Sequence, residues 1–294
     1  MNGIESAHAQ VNGLRIHYLQ AGQGNTLVLL HGWPEFCQIW RRNLASLARS
    51  FRVIAPDLRG FGQTRLLAGT PPAKVTPEVL ADDLRGLVGH LAAERGGIVS
   101  HDVGANVAQV FARENSEMVA GLFFFDCPYP GIGRRWAEAD LLPETWYQYF
   151  NQLPWAAELI GHDRQTCRIF LRHFLRHWAG SPEAFSENDL AEWVDNFQQP
   201  GVLQGGFDWY AGMDAARREL IRHGPPVLPK IKAPARFLWG AKDPIIRIEW
   251  ADRLEDYFAD VRFSPVPDAG HFVPWERPDL ANREMIGFFS SVVF

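Results

Sequence analysis

The feature that most constrains this chain is an elbow between a short strand and a helix. Residues 97–99 are an apolar run, residues 100–105 read S-H-D-V-G-A, and residues 106–114 follow as a helical run. Small residues around a central nucleophile are typical of a strained strand-to-helix turn that lifts the nucleophile clear of a sheet. Here the central residue is Asp102, a carboxylate where such turns usually carry serine.

A carboxylate at this turn changes the chemistry that the site can perform. A serine attacks the carbonyl carbon of its substrate and forms an acyl-enzyme. An aspartate instead attacks a saturated carbon and forms an alkyl ester, in which the carbonyl belongs to the enzyme. We therefore expect a substrate with an electrophilic sp3 carbon, such as an epoxide or a carbon–halogen bond.

Composition and charge exclude several other classes of protein. The 294 residues are 47% apolar and 21% charged, which is ordinary for a globular protein of one decorated domain or two units. The net charge of −5 predicts neither a nucleic-acid nor a membrane partner. The three cysteines, Cys37, Cys127 and Cys167, have no C-x-x-C spacing, so we expect neither a disulfide framework nor a metal site. We expect no cofactor either.

The ends and the apolar runs of the sequence bear on where it would act. The N-terminus shows no basic region followed by an apolar run, as a signal peptide would. No apolar stretch approaches the roughly 20 residues needed to span a bilayer. The expected location is the cytoplasm, and the oligomeric state stays open, a homodimer included.

Strand and helix signals alternate over the first 128 residues. Strands are expected at 14–20, 26–30, 51–55 and 121–125, and helices at 39–49 and from Pro77 to about residue 93. Thr76 is the expected N-cap of the second helix, with Pro77 at its first position. Fully apolar strands that alternate with helices predict a mostly parallel sheet with helices on both faces.

The pattern changes at about residue 129. Residues 129–222 show helix-like segments without a strand, and hold six of the eleven tryptophans and four of the six tyrosines. Amphipathic aromatic side chains on helices favour a lid over an apolar pocket, although a helical satellite with its own aromatic core has the same composition. Strands resume at 235–239 and 261–265, before a last helix at 278–289. We predict a core domain of 1–128 and 226–294 and a helical cap of 129–225.

An aspartate nucleophile needs a base and an orienting acid. The favoured base is His271, on a loop between the last strand and the last helix, ahead of His101 and His31, for which structural roles are expected. Two carboxylates, Asp243 and Asp126, follow strands at the edge where open α/β sheets place their sites. We favour Asp243 as the partner of His271, with Asp126 sharing or taking over that role.

The oxyanion site is expected to use backbone N–H groups. One belongs to Val103, directly after the nucleophile, and the other to Trp33 in the H-G-W-P turn, since Pro34 has no N–H. The Trp33 ring either lines the pocket or packs.

Five motifs in this order resemble the α/β-hydrolase-fold epoxide hydrolases and their relatives, the haloacetate and haloalkane dehalogenases. They are H-G-W-P at 31–34, D-L-R-G-F-G at 57–62, S-H-D-V-G-A at 100–105, G-A-K-D at 240–243 and A-G-H-F at 269–272. The resemblance implies an α/β-hydrolase fold over nearly the whole chain and a covalent mechanism through Asp102 and His271.

The resemblance also implies a pair of lid tyrosines that donate hydrogen bonds to an epoxide oxygen. F-D-W-Y matches one such segment at Tyr210, and Y-Q-Y-F matches the other at Tyr147. On a helix, Tyr149 points away from Tyr147 and lies nearer the apolar stripe of Trp146, Phe150 and Leu153, so Tyr147 is the better donor and Tyr149 the better packing residue. Gln148, Trp146 and Trp209 are expected in the substrate pocket beside Trp33 and Val103.

Positions that read the substrate in the dehalogenases differ here. Fluoroacetate dehalogenases resemble this chain at Asp126, but place arginines where Val103 and Asn106 stand and a His-Trp pair at Tyr147 and Gln148. Haloalkane dehalogenases usually place a halide-binding tryptophan at the Val103 position. A secreted Cif-type epoxide hydrolase shares the acid at Asp126 but uses a lid His-Tyr pair.

The resulting hypothesis is an epoxide hydrolase that forms a vicinal diol from an apolar epoxide. The alternative enzyme is a haloalkane or haloacetate dehalogenase with the same Asp-His pair. A non-enzymatic ligand-binding protein of the same fold is the third reading.

Overall fold

The computed structural model describes residues 3–294, and its central feature is one nine-stranded sheet. The strands are β1 (Glu5–Val11), β2 (Leu14–Ala21), β3 (Thr26–Leu30), β4 (Arg52–Pro56), β5 (Arg65–Leu66), β6 (Gly96–His101), β7 (Val119–Phe125), β8 (Ala235–Gly240) and β9 (Val261–Val266). Their order is β1-β2-β4-β3-β6-β7-β8-β9, with β5 beside β2.

The sheet is antiparallel at one edge and parallel elsewhere. β2 pairs antiparallel with β1, β4 and β5, while every pair from β4 across to β9 is parallel. β3 and β7 are buried at every position, because helices cover both faces of a parallel sheet. The carboxyl ends of β3, β6, β7 and β8 therefore meet along one edge, which is where an open α/β sheet builds its site.

Eleven α-helices accompany the sheet in the described part of the chain. They are α1 (Arg41–Leu47), α2 (Pro77–His90), α3 (Val103–Glu114), α4 (Leu142–Phe150), α5 (Ala156–Gly161), α6 (Arg164–His177), α7 (Glu187–Phe197), α8 (Val202–His223), α9 (Leu254–Tyr257), α10 (Val273–Glu276) and α11 (Pro278–Ser291). α2 packs against α3 and α1 against α11. None of the helices between residues 3 and 294 combines the length and the apolarity of a membrane span.

The expected elements are present with small shifts of their ends. β3 has the predicted bounds, and Thr76 caps α2 by accepting a hydrogen bond from the Val79 N–H. β2 and β9 each extend one residue further than expected, whereas β1 and β5 were not predicted. β1 carried no sequence signal because only one of its seven side chains is buried. An exposed edge strand lacks the apolar pattern that reveals a buried one.

The segment between β7 and β8 has no strand among the described residues, and its α-helices are α4 to α8. Its longest helix, α8, meets the loop after β4 at Gly60 and Gly205. A Cβ built on Gly205 would lie 2.2 Å from the Gly60 carbonyl oxygen, and one on Gly60 would lie 2.8 Å from that of Gly205. The two backbones therefore touch without an intervening side chain, an approach that only glycine permits.

Asp57, directly after β4, joins three segments below the site. Its carboxylate is buried and accepts hydrogen bonds from the Cys37 N–H (2.8 Å) and the Gln63 N–H (2.8 Å), and bonds to His17 Nδ1 (2.7 Å). His17, Cys37 and Asp57 are the group of potential metal ligands in residues 3–294, but the Asp57 oxygens are already used by these hydrogen bonds. The cluster therefore suits a structural role better than a metal site.

We predict that Asp57→Asn lowers the free energy of unfolding by about 3 to 5 kcal/mol, because it leaves a buried partner without its counter-charge. Urea denaturation measures the change, with the exposed Asp82→Asn as a control that should cost at most about 1 kcal/mol.

Burial opposes ionisation of Asp57, but His17 and His31 outweigh it and lower the pKa of Asp57. The stabilisation should therefore be present at neutral pH and shrink as the pH falls below about 4. Equal costs for the two variants would contradict the role of Asp57.

Candidate active site

Asp102 lies at the tip of a tight turn between β6 and α3. Its backbone has φ 46° and ψ −114°, in the left-handed region that a non-glycine residue adopts only under strain. Gly32, in the loop after β3, faces it so closely that a Cβ on Gly32 would lie 2.6 Å from the Asp102 Cβ. Any larger residue at position 32 would therefore clash with the Asp102 side chain.

Two backbone N–H groups lie close to the Asp102 carboxyl group. The Trp33 N–H donates to Oδ1 at 3.0 Å, and the Val103 N–H also interacts with this carboxyl group. Burial raises the pKa of Asp102, against the opposing effect of His271 and these two N–H groups. The pair is the one that the sequence suggested as an oxyanion site. The Trp33–Pro34 peptide bond is cis.

His271 is fully buried and its ring is oriented by Asp243. Its Nδ1 lies 2.8 Å from Asp243 Oδ2, while Asp243 Oδ1 accepts from the N–H groups of Ile245 and Ile246 (2.8 and 3.1 Å). Nε2 is buried with no hydrogen-bond partner in residues 3–294. Burial opposes the charged ring, but Asp243 first, then Asp102 and Glu35, raise the pKa of His271 to about 9.

Asp126, the second acid considered, makes no hydrogen bond to His271. Its Oδ1 accepts from the Gly240 N–H at 2.8 Å, and its Oδ2 is buried without a partner among the described residues. Burial, and then the negative charge of Asp243, raise the pKa of Asp126 well above its usual range. Its environment therefore favours the protonated form of Asp126, and the orienting bond to His271 comes from Asp243.

A second buried pair of ionisable side chains, His101 and Glu35, lies next to His271 and was missed by sequence reasoning. His101 Nδ1 lies 2.9 Å from Glu35 Oε2, and His101 Nε2 lies 2.7 Å from the backbone carbonyl oxygen of His271. Glu35 Oε2 also accepts from the Gly32 N–H at 2.6 Å. The pair thus links the loop after β3 to the loop that carries His271. The signal available was Glu35 itself, a carboxylate directly after H-G-W-P.

Tyr147 and Tyr210 bring two hydroxyl groups to the same cavity as Asp102. Both side chains are buried, their rings lie 5.4 Å apart, and both line the cavity. Burial and the negative charge of Asp102 raise the pKa of each tyrosine, so both stay protonated hydrogen-bond donors. Gln148 Nε2 donates to the Tyr147 hydroxyl oxygen at 3.2 Å, which leaves the Tyr147 proton free to point elsewhere.

The cavity has a volume of about 880 Å³ and is lined by some of the expected pocket residues but not by others. Val103, Gln148 and Trp209 line it. Trp146 does not: its side chain is 41% exposed and its ring lies against Phe174.

Two further aromatic residues differ from the expectation. The Trp33 ring does not line the cavity either. It is buried and stacked on the Tyr147 ring, with the ring centroids 5.0 Å apart, so of its two expected roles it has the packing one. Tyr149, expected to pack, is 45% exposed. Helix spacing separated Tyr147 from Tyr149, but the stripe of Trp146 and Leu153 faces outward, so the buried face of α4 was misassigned.

Comparison with known proteins gives the following matches. A family model described as alpha/beta hydrolase fold matches residues 25–278. A soluble epoxide hydrolase of Corynebacterium sp. (strain C12) is 35% identical over 98% of each chain, and Homo sapiens epoxide hydrolase 4 is 28% identical over 92% of this chain and 75% of its own. Two solved structures, the epoxide hydrolase CorEH without ligand and Cfl2 from Burkholderia cenocepacia, are 33% and 31% identical. Both have a TM-score of 0.84 over 98% of this chain, and the match covers 99% and 96% of theirs.

We predict that Asp243→Asn and Asp102→Asn each lower the pKa of His271 by about 1 to 3 pH units, because each removes a negative charge that stabilises the imidazolium. The fall should be larger for Asp243→Asn, since Asp243 also loses its charged hydrogen bond. The measurement is an NMR titration of the His271 ring. Asp126→Asn is the matched control: Asp126 makes no hydrogen bond to His271 and is not among the groups that raise its pKa, so this variant should leave the His271 pKa near 9. A large fall in the control would show that Asp126 carries a charge.

Proposed function

The chain belongs to the epoxide hydrolases of the α/β-hydrolase fold, and on that premise we propose that it converts an epoxide to a vicinal diol through a covalent ester on Asp102. One observation carries the proposal: a carboxylate at the elbow and two tyrosine hydroxyls line the same cavity. Hydroxyl donors suit an oxygen leaving group, and a carboxylate suits attack on a saturated carbon.

In the first step, Asp102 opens the epoxide ring. The Trp33 N–H holds Oδ1, so Oδ2 is the oxygen free to attack. Oδ2 forms a bond to one ring carbon while the bond from that carbon to the ring oxygen breaks, and the electron pair goes to the oxygen. Tyr147 and Tyr210 donate hydrogen bonds to the developing alkoxide, one of them transferring its proton, and the product is a hydroxyalkyl ester.

In the second step, water hydrolyses this ester. The Nε2 atom of His271 removes a proton from the water. This atom is buried and has no hydrogen-bond partner among the described residues, so it can bond to the water. The hydroxide adds to the Asp102 carbonyl, and the N–H groups of Trp33 and Val103 stabilise the tetrahedral oxyanion. Collapse of the intermediate breaks the bond between the Asp102 carbonyl carbon and the substrate oxygen, and this oxygen takes the proton held by His271 to become the second hydroxyl of the diol. The Asp102 carboxyl group then loses its proton and is a carboxylate again, and one proton returns through solvent to the tyrosine that gave its proton in the first step.

The raised pKa of His271 fits this order of steps. Before the reaction, Asp102 and Asp243 both stabilise the charged imidazolium. Forming the ester removes the Asp102 charge, which lowers the pKa of His271 and favours loss of its proton to solvent. The neutral base therefore appears once the ester needs it.

Two parts of the proposal concern the surroundings of these groups. Residues 129–225 form a cap over the core, because they supply Tyr147, Tyr210, Gln148 and Trp209 to a cavity whose floor is Asp102. Val103 and the apolar lining of the same cavity favour an apolar epoxide. Asp126 is a buried acid close enough to Asp243 for the negative charge of Asp243 to raise its pKa, and we assign it the role of an alternative partner for His271.

We predict that His271→Gln accumulates the ester, because general-base assistance of this kind is typically worth about 10² to 10⁴-fold. Mass spectrometry of the variant after incubation with an aryl or alkyl epoxide should show the protein mass increased by that of the substrate. In the wild-type protein, one turnover in heavy-oxygen water should place label in the Asp102 carboxyl group.

Three outcomes would overturn parts of this proposal. Label in the diol with none in Asp102 would exclude the covalent step. Halide release from haloalkanes or haloacetates with no diol from epoxides would favour the dehalogenase instead. Saturable binding of epoxides without a product would favour a binding protein.

We predict that Tyr147→Phe and Tyr210→Phe each slow ring opening by about 10²-fold or more, as the loss of one oxyanion donor does. Pre-steady-state formation of the ester measures the effect. Tyr149→Phe, two residues away on the same helix and 45% exposed, is the matched control and should leave the rate unchanged. Equal rates in all three variants would remove the tyrosines from the mechanism.

A further inference from the structure

Glu276 is a half-buried carboxylate that takes no part in the two chemical steps described above. It lies on the short helix α10, five residues after His271. Within residues 3–294, every hydrogen bond that it accepts comes from a backbone N–H group. Burial raises the pKa of Glu276 against the opposing effect of these N–H groups, so a carboxylate is placed here at a cost.

The two oxygens of Glu276 bind different parts of the chain. Oε1 accepts hydrogen bonds from the N–H groups of Gly270 and Phe272, both at 3.1 Å, and these residues stand on either side of His271. Oε2 accepts a hydrogen bond from the Gly180 N–H at 2.7 Å, in the loop between α6 and α7. One carboxylate therefore ties the backbone around His271 to the helical segment between β7 and β8.

Two glycines allow these backbones to approach each other. A Cβ built on Gly180 would lie 2.7 Å from the Gly270 nitrogen and 2.9 Å from Glu276 Oε2. A Cβ on Gly270 would lie 2.2 Å from the Trp178 carbonyl oxygen, which itself accepts a hydrogen bond from the His271 N–H at 2.8 Å. A side chain at either glycine would separate the two segments and break these hydrogen bonds.

The Trp178 side chain adds a contact with the imidazole ring itself. Its buried ring lies edge-on to the His271 ring, with the centroids 5.2 Å apart, and its centroid is 5.1 Å from that of Tyr147. Asp243 bonds to Nδ1 and so orients the ring. The place of the ring, however, follows the backbone of His271, because that backbone carries it. Glu276 and Trp178 are therefore suited to fix where the base lies.

We propose that Glu276 is a positioning residue for hydrolysis of the ester, because it fixes the backbone on both sides of His271 against the loop at Gly180. This inference rests on the proposed function and adds a residue to its second step. Ring opening uses Asp102 and the two lid tyrosines, and Glu276 bonds to none of them. Loss of Glu276 should therefore affect the two steps unequally. A displacement of a reacting group by about 1 Å can cost about 10²-fold in rate.

The first test is Glu276→Gln, which keeps the size of the side chain. It replaces one acceptor oxygen by an amide nitrogen that only donates, so at least one backbone N–H loses its partner. We expect decay of the ester to slow by about 10 to 10²-fold, while its formation changes by less than about threefold. Rapid-quench mass spectrometry of the protein with styrene oxide measures both rates. Glu284→Gln, which removes a carboxylate paired with Arg236, is the control and should change neither.

A second variant tests the same contact from the other side. In Gly180→Ala the added Cβ crowds Gly270 and Glu276, so ester decay should again slow selectively. Gly287→Ala is the matched control, since a Cβ there meets no atom within 4 Å. Circular dichroism and thermal unfolding check that each variant is folded. Equal slowing of both steps, or ester decay at the wild-type rate in folded Glu276→Gln, would overturn the positioning role.

An NMR measurement tests the positioning role independently of turnover. The Nδ1 proton of His271, which bonds to Asp243, should give a sharp downfield signal while the ring is held in place. We expect this signal to broaden or shift in Glu276→Gln and Gly180→Ala, but not in Glu284→Gln. That result in a protein whose wild type forms no diol from any epoxide would overturn the proposed function and retain the positioning role. An unchanged signal, together with equal slowing of both steps, would overturn the positioning role and leave the function intact.

Discussion

The left-handed backbone of Asp102 is the constraint on which the rest of the site depends. An extended or helical φ at this residue would direct its carboxylate back into β6 or along α3, away from the cavity. Two neighbours offset the strain. Gly32 has no side chain and so leaves room for the Asp102 side chain, and the Trp33 N–H donates a hydrogen bond to its carboxylate. Because α3 starts directly after Asp102, the same turn also aims one face of that helix along the cavity.

The ionisable groups around this turn form one electrostatic unit. Asp102, Asp243 and Glu35 all stabilise the charged form of His271, while burial and Asp243 raise the pKa of the neighbouring Asp126. A buried site tolerates several carboxylates only if some are neutral or paired. The contacts of the two acids differ accordingly: Asp243 accepts hydrogen bonds from two backbone N–H groups and bonds to the His271 ring, whereas Asp126 accepts one hydrogen bond.

Much of the fold could be predicted from the sequence because its signals are local. The apolar run of β3 and the Thr76 cap of α2 each depend on a few consecutive residues, and the structure confirms both. The elbow was also visible for this reason. The link between Glu35 and His101 joins residues far apart in the chain, and no local pattern predicts which of many buried polar side chains will meet.

The helical segment was the harder part for the same reason. Spacing on α4 separates Tyr147 from Tyr149, but which face is buried depends on how α4 sits against α6 and the core. The exposed Trp146 and the buried Tyr147 therefore reverse what hydrophobicity alone suggests.

The contact between Gly60 and Gly205 has a consequence for exchanging parts between relatives of this protein. In the proposed mechanism the core supplies Asp102, His271 and Asp243, and the helical segment supplies Tyr147 and Tyr210, so a chimera of two such proteins would combine the nucleophile of one with the hydroxyl donors and pocket lining of the other. The two parts meet here through bare backbone, with a built Cβ only 2.2 Å from a carbonyl oxygen. A transplanted segment with alanine at this position would be pushed away from the core, and its hydroxyl donors would be displaced from the nucleophile. Successful recombination therefore requires that the glycine travel with the segment.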